Sequence, residues 1–298
     1  MTSSLTGTDQ VDPATEPTTQ PEPSGPPDAG PAVPGARWSQ LAEVGRGFGW
    51  AVVGTTTVVL LWQLATSHSA DVPAPLDGAR ALADLLADPF YDNGPNDKGI
   101  GRQLGISLQR VFTGFALAAV VGVLAGLLIG ASRRAWLAFN PVVQVLRPVS
   151  PLAWFPIWLS VFKDADQASV FVIFITALWP TLINTAAGAA EIPRDHRNVA
   201  RVFRFGRLAY LRHVLVPNAL PSIITGLRLS MGIAWMVIVA VEMLSGNAGI
   251  GFFVWDSYNA GNLSSVVAAI VLIGLVGLVL DVILVRVSRK VAIEEVQS

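Results

Sequence analysis

The sequence predicts an all-α protein that crosses a membrane six times and keeps both termini in the cytoplasm. Only 14% of the 298 residues are charged, whereas soluble domains carry about 25%. Six apolar runs of about 20 residues, the length that spans a bilayer as a helix, are spread along the chain. Arg residues are concentrated in alternate connections between these runs, as expected when basic connections remain in the cytoplasm.

The first 36 residues differ in composition from the rest of the chain. They contain eight prolines and five acidic residues, and they contain no Lys or Arg. Such a segment cannot bury enough apolar surface to offset the entropy cost of ordering, so we predict a disordered Pro-rich tail over residues 1–36. Residues 37–298 are predicted to form one transmembrane domain.

Each apolar run is supported by its surroundings. Arg37 and Arg46 precede the first run and place the N-terminus inside. A polar external connection with a short helix near residues 77–87 leads to the second run. Prolines interrupt the third run, and because each proline removes a backbone donor, they bend a helix. The predicted spans are 48–66, 111–131, 137–162, 168–187, 222–244 and 264–285.

The second run repeats small residues at every fourth position. At 3.6 residues per turn they form a line along one face of a helix, and in a membrane such a line lets another helix approach closely. We therefore predict close helix packing at this face, the alternative being apolar filler without a packing role. The line consists of Gly114, Ala118, Gly122, Gly126 and Gly130.

The cytoplasmic connection 188–221 is strongly basic. Apolar residues at roughly helical spacing, including Val199, Val202 and Phe203, predict one or two short helices against the inner membrane surface, with one face free for a partner. The alternative is a solvated loop whose charge only fixes the topology. Its arginines are Arg194, Arg197, Arg201, Arg204, Arg207 and Arg212.

Motifs for catalysis are missing from the sequence. No stretch matches GxxxxGK[ST], so the chain is not expected to bind ATP phosphates in that way. The Gly-rich stretch 246–251 follows an apolar helix rather than a strand, which favours an external re-entrant loop. The chain has no cysteine and three scattered histidines, so neither thiol chemistry nor a metal site is expected.

Charged and polar residues inside the apolar runs are candidates for function, because charge in a membrane is costly. Arg147 is flanked by prolines in the interrupted third run, where a cation and exposed backbone would attract an anion. For each charge, including Asp281 near the inner end of the sixth run, the alternative is a snorkelling or intersubunit structural role. The predicted pathway residues are Arg147, Thr176, Asn184, Arg228 and Glu242.

Four strings within residues 100–285 resemble binding-protein-dependent ABC importer permeases. The family's cytoplasmic motif contains EAA, then a Gly, then a terminal Pro; Ala200 and Pro217 match it. Asn198 replaces the usual Glu and Arg204 the usual Gly, and these departures resemble the nitrate, bicarbonate and cyanate subgroup. The strings are NVARVFRFGRLAYLRHVLVP (198–217), QVLRPVSPLAWFPIWLSVF (144–162), FVIFITALWPTLINTAAG (171–188) and AVEMLSGNAGIGFFVWDSYN (240–259).

This resemblance implies a type I ABC importer permease fold in the cell membrane, with the mechanism divided among several chains. Two permease copies, expected to be identical, share one pathway in the lipid bilayer. Two ABC ATPase subunits bind ATP and Mg²⁺ and dock from the cytoplasm, and an extracytoplasmic solute-binding protein delivers a small anion, expected to be nitrate, with nitrite, bicarbonate and cyanate as alternatives. No nucleic acid is expected as a partner. The implied ATPase-coupling residues are Asp195, Asn198, Ala200, Arg201, Arg204, Gly206 and Pro217.

Two other functions fit parts of the sequence. An alkanesulfonate or taurine permease would share the fold, but the residues at positions 198 and 204 and the string 171–188 argue against it. A self-sufficient secondary anion transporter would need inverted repeats and carboxylates at mid-membrane. No repeat is evident, and the carboxylates lie near the ends of the runs.

Overall fold

The computed structural model describes residues 36–67, 72–193, 198, 200 and 202–297. Regular structure in these ranges is helical, with an isolated antiparallel bridge between Asp92 and Lys98. The N-terminal part of the first helix, up to Val58, belongs to one compact unit, and the chain from Val59 onwards forms the other. Apart from Ala36, the predicted tail lies outside the described residues.

Helices make up most of the described residues. In order they are α1 Ala36–Thr66, α2 Pro75–Ala87, α3 Ile100–Gly130, α4 Arg133–Leu146, α5 Pro151–Phe162, α6 Ala165–Ala190, α7 Arg207–Tyr210, α8 Val216–Ser245, α9 Ile250–Asn259 and α10 Leu263–Gln297. A π-helical turn, Leu211–Leu215, joins α7 to α8.

Five of the described helices, α1, α3, α6, α8 and α10, are long and apolar enough to cross a membrane. The α4 and α5 helices meet the same criterion together, although their axes are bent by 92° at the break between them. Six spans therefore result when α4 and α5 form one broken span, which confirms the predicted all-α membrane fold.

Several boundaries differ from the sequence prediction. The α3 helix begins 11 residues before the predicted second span, because its first three turns are too polar for a hydropathy criterion. The predicted third span is two helices. Both ends of the predicted connection 188–221 are helical, since α6 continues to Ala190 and α8 begins at Val216. The predicted external loop contains α9.

The break between α4 and α5 follows from its prolines. Pro148 and Pro151 lack the backbone N–H groups that would continue the helix. The residue before a proline is also disfavoured in the helical region, and Ser150 has φ −57° and ψ 128°, an extended conformation. The chain therefore turns sharply here, and Arg147 ends α4 at this turn.

The line of small residues on α3 packs against α6, as predicted. Ala118 is fully buried. An ideal Cβ atom added to Gly114 would lie 2.7 Å from the Val170 carbonyl oxygen, and one added to Gly126 would lie 2.6 Å from Thr185 Cβ. Because real Cβ atoms do not approach other atoms so closely, glycine is needed at these positions for the two helices to touch.

Replacing Gly126 with valine should destabilise the protein, because the added methyl groups meet the Thr185 side chain and the α6 backbone. Overpacking of this kind costs about 1–3 kcal/mol. The measurement is the thermal unfolding midpoint in detergent, followed by size-exclusion chromatography. Gly105→Val on the same helix is the matched control, since a Cβ at Gly105 meets nothing within 4 Å. Equal midpoints for the two variants would contradict this account of the α3–α6 contact.

Candidate functional site

A buried ion-pair network joins α3, α6 and α8 near their predicted outer ends. The Arg110 guanidinium donates to the Glu242 carboxylate at 2.7 Å and also pairs with Asp166 at the start of α6. Glu242 is fully buried and Arg110 is 6% exposed. Since removing one partner of a buried pair leaves an uncompensated charge, Arg110 and Glu242 depend on each other.

The same network fixes the outer loop between α8 and α9. The backbone N–H of Gly249 donates to Gln103 Oε1 at 2.5 Å, and that of Ile250 donates to Ser107 Oγ at 2.9 Å. Ser107 in turn donates to Glu242 at 2.7 Å. The loop is therefore held against α3 and α8 by buried hydrogen bonds on both sides.

Three members of this network, Gln103, Ser107 and Arg110, are absent from the predicted site residues. They precede the apolar run that predicted the second span. Their spacing of four and three residues places them on one helix face, and Gly114 continues that face into the line of small residues. Extending the helical spacing of three or four residues from Gly114 towards the N-terminus would have identified Arg110, Ser107 and Gln103 from the sequence.

A cavity lies at the break between α4 and α5. Its volume is about 260 Å³, and Arg147, Ser150 and Pro151 line it together with Thr176 and Trp179 of α6. The N-terminus of α5 is part of this lining, and a helix N-terminus carries partial positive charge. The structure thus brings the predicted pathway residues Arg147 and Thr176 together at a site suited to an anion.

Arg147 differs from Arg110 and Arg228, because it has no acidic partner among the described residues. Arg228 on α8 pairs with Asp281 on α10 through two hydrogen bonds, at 2.7 and 3.0 Å. Arg110 pairs with two carboxylates. Among these three cations, Arg147 therefore carries the charge that is available to a ligand.

The remaining predicted pathway residues lie away from this cavity. Asn184 is two turns beyond Thr176 on α6, and its side-chain amide donates to the Pro180 carbonyl at 2.8 Å. Glu242 belongs to the buried outer network. The structure does not bring Arg228 or Glu242 together with Arg147, and their assignment to a pathway stays a prediction.

On the predicted cytoplasmic side, the helical segment before α7 ends in a hydrogen-bonded C-terminal motif. Residues 198, 200 and 202 are helical, and the Phe205 N–H donates to the Ala200 carbonyl at 2.9 Å. Arg204 has φ 48°. This bond together with a left-handed residue forms a Schellman motif, in which glycine is usual at the left-handed position. Arg204 occupies the position where the family motif has glycine. The positive φ explains that glycine, because glycine adopts this conformation without steric cost.

Apolar side chains are exposed around this helix end. Val202 is 78% exposed, Phe203 70% and Leu208 77%, whereas Ala200 is buried. The described part of the predicted helical segment thus has exposed side chains, and the most exposed of them are apolar. We call Val202, Phe203 and Leu208 the apolar docking surface.

The junction of this segment with α8 is a π turn. Pro217 lies in the first turn of α8, and a proline inside a helix clashes with the carbonyl four residues earlier. The wider π turn, closed by a Val216 N–H to Leu211 carbonyl bond, accommodates it. The Asn218 side chain donates to the Val214 carbonyl at 2.7 Å.

The other predicted coupling residues have the following positions. Asn198 is helical and exposed. A Cβ added to Gly206 meets nothing within 4 Å, so this glycine is not required by packing within the described chain. Asp195 and Arg201 lie outside the described residues.

Comparison with known proteins gives a consistent result. The family model for the binding-protein-dependent transport system inner membrane component matches residues 104–293. The chain is 45% identical over 230 residues to the nitrate import permease protein NrtB of Synechocystis sp., covering 77% of this chain and 84% of that protein. It is 43% identical over 249 residues to the bicarbonate transport system permease protein CmpB of Synechococcus elongatus, covering 82% and 88% respectively.

Among solved structures, the MetNI methionine ABC transporter in inward-facing conformations is similar with a TM-score of 0.57 at 19% sequence identity. The alignment covers 64% of this chain and 95% of that chain. At this identity the similarity shows the fold, and it confirms the predicted importer permease architecture.

Replacing Glu242 with alanine should lower the free energy of unfolding by about 3–5 kcal/mol, the usual cost of breaking a buried pair from one side. The reason is that Arg110 loses one of its two carboxylate partners, and Ser107 and the Gly251 N–H lose the carboxylate that accepts their hydrogen bonds. Thermal unfolding of the purified protein measures the effect. Asp84→Ala, at an exposed outer position, should change the midpoint little. An unchanged midpoint for the Glu242 variant would show that the network does not stabilise the fold.

Proposed function

Because the chain belongs to the family of binding-protein-dependent transport system inner membrane components, we propose that it forms the membrane pathway of an ATP-driven importer for nitrate. The chain is a multi-pass plasma-membrane subunit of a transporter and not an enzyme. The observation that carries the anion assignment is Arg147, which lacks an acidic partner among the described residues and lies beside the N-terminus of α5. The similarity to a nitrate permease supports the choice of nitrate.

Nitrate suits this cavity chemically. It is a planar anion whose oxygens match the fork of a guanidinium group, which binds planar oxyanions through two parallel hydrogen bonds. The N-terminus of α5 supplies further partial positive charge. Because Thr176 donates its hydroxyl proton to the Val172 carbonyl at 2.7 Å, the cavity chiefly offers positive charge and apolar walls, which favour a weakly hydrated anion.

Bicarbonate is the second candidate. The chain is nearly as similar to a bicarbonate permease as to a nitrate permease, and bicarbonate is also planar and singly charged. It differs in carrying a hydroxyl group that needs an acceptor. Growth of a deletion strain on nitrate as the sole nitrogen source, with labelled uptake of nitrate, bicarbonate, cyanate and taurine, separates these substrates.

The partners follow from the division of labour in this family. We propose that two ATPase subunits, which hold ATP and Mg²⁺, contact the apolar docking surface from the cytoplasm. A solute-binding protein delivers the anion to the outer side, and a second copy of this chain completes the pathway. The missing phosphate-binding motif supports an external energy source. Nitrate uptake that persists without any ATPase subunit would instead favour a secondary transporter.

Replacing Arg147 with glutamine should lower nitrate uptake about tenfold or more at limiting substrate, because a charge-assisted hydrogen bond is worth about 1.5–3 kcal/mol. Initial rates of labelled nitrate uptake measure this effect. Arg134→Gln, on the same helix but at its cytoplasmic end, is the matched control and should retain uptake. Normal uptake by the Arg147 variant, with the ATPase bound, would remove Arg147 from the pathway.

Replacing Phe203 with aspartate should uncouple transport from ATP hydrolysis, since a charge on the apolar docking surface opposes burial against a partner. We expect the variant to insert normally, to retain less ATPase during purification and to lose most uptake. Arg212→Gln removes one positive charge from the same segment but leaves the apolar surface intact, so it should retain the ATPase. If the two variants behave alike, the segment acts only through its charge.

A further inference from the structure

A large cavity lies away from the Arg147 cavity that is assigned to transport. It has a volume of about 950 Å³ and lies between α3 and α6 at their predicted outer ends. The end of α5 and two outer loops complete its walls. Its lining runs down one face of α3 through Gln109, Thr113, Leu117 and Val121.

The cavity is polar at its outer end and apolar below. Asn96, Gln109, Arg110, Asp166, Gln167 and Asn247 lie at the outer end. Leu117 and Val121 follow along α3, and Phe171 and Phe174 follow along α6. From Gln109 to Val121 the helix rises about 18 Å, so the groove extends through roughly the outer half of a hydrocarbon core.

The lower part of the groove opens towards the hydrocarbon. Leu117 is 51% exposed and Val121 43%, and both belong to a helix long and apolar enough to cross a membrane. A groove that changes from polar to apolar over this depth matches the two ends of a phospholipid. Its head group would lie at the outer end, and an acyl chain would lie against the apolar wall.

Charge at the outer end selects the head group. Arg110 is shared by Glu242 and Asp166, so one cation faces two carboxylates and one formal negative charge remains. Glu242 is buried, whereas the Asp166 side chain is 62% exposed. An ammonium group would complement Asp166, and a head group with net negative charge would be repelled by it.

We propose that this groove binds a phospholipid with a primary ammonium head group, phosphatidylethanolamine in its simplest form. The ammonium donates hydrogen bonds to Asp166, and one acyl chain packs against Leu117, Val121 and Phe171. A choline head group has the same charge but no N–H donor, so it lacks the charge-assisted hydrogen bond. The lipid would cover a polar opening next to the Arg110–Glu242 pair and exclude water from it.

A second copy of this chain is the competing occupant. An apolar helix from another copy would fill the lower groove, but it would also cover the exposed Asp166 carboxylate. Burying that carboxylate is unfavourable, because Arg110 is already shared with Glu242 and one negative charge of this cluster would remain uncompensated. A mobile lipid satisfies both ends of the groove at once, which is why we favour it.

The first test measures lipids bound to the purified full-length protein. The protein is delipidated in detergent, equilibrated with equal amounts of phosphatidylethanolamine, phosphatidylcholine and phosphatidylglycerol, and analysed by native mass spectrometry. We expect phosphatidylethanolamine to be enriched, and Asp166→Asn to reduce this enrichment about tenfold, to the level of phosphatidylcholine. Asp97→Asn, an exposed outer carboxylate outside the groove, should leave the enrichment unchanged. No enrichment in the wild type, or equal enrichment in both variants, would overturn the proposal.

The second test addresses the acyl chain and the competing occupant. Leu117→Trp fills the lower groove and should reduce bound lipid, whereas Leu128→Trp, on the exposed part of α3 outside the groove, should not. The chain has no cysteine, so Val121→Cys introduces a single thiol. Efficient disulfide-linked dimers of this variant in membranes would show that a second copy occupies the groove and would overturn the lipid assignment. Retention of lipid by Leu117→Trp would also contradict it.

Discussion

Helices α3 and α6 approach each other so closely that only glycine fits at several points of contact, and the described structure depends on this approach. Water is absent from the hydrocarbon core, so helices there gain little from burying apolar side chains and associate through close packing and hydrogen bonds. The α6 helix uses the same means on its other side. Gly226 of α8 packs against Asn184 and Pro180, and the hydroxyls of Thr181 and Ser230 lie 2.7 Å apart. The three helices α3, α6 and α8 therefore form the core of the domain.

The outer network completes this core where small residues end. Gly114 is the first position of the line, and Arg110, Ser107 and Gln103 occupy the same face of α3 above it. In place of close backbone contacts they supply hydrogen bonds and charge. Because Glu242 is buried and its partners come from α3 and from the backbone of the following loop, that loop is bound to the core. The α4–α5 pair lies beside the core and is broken by prolines. The cavity at this break contains Arg147, which has no acidic partner in the described part of the chain.

A periodic pattern in the sequence predicts a helix correctly where its residues are uniformly apolar or small. The prediction fails where the same helix changes from apolar to polar residues. The line from Gly114 to Gly130 predicts the α3–α6 contact correctly. The same helix continues to Ile100 through polar residues, which hydropathy excludes, so Arg110 and its partnership with Glu242 are missed. No local pattern reports that residues 132 positions apart meet. Conversely, Arg204 departs from the expected glycine, and only the backbone shows that this position needs the left-handed conformation.

The α8 helix extends from the predicted outer side to the predicted cytoplasmic side. In the proposed mechanism it carries a movement of the apolar docking surface to the rest of the domain. Its outer end carries Glu242 and is held to α3. Its inner end begins at the π turn that follows the apolar docking surface. A helix of 30 residues is about 45 Å long, and α8 is continuous beyond Pro221, which lies in its second turn. The turn that admits Pro217 is its least regular part. A partner that moves the docking surface would therefore move α8 as one body or flex the π turn. Because α8 packs on α6 and its Ile233 lines the Arg147 cavity, a motion of α8 changes the surroundings of that cavity.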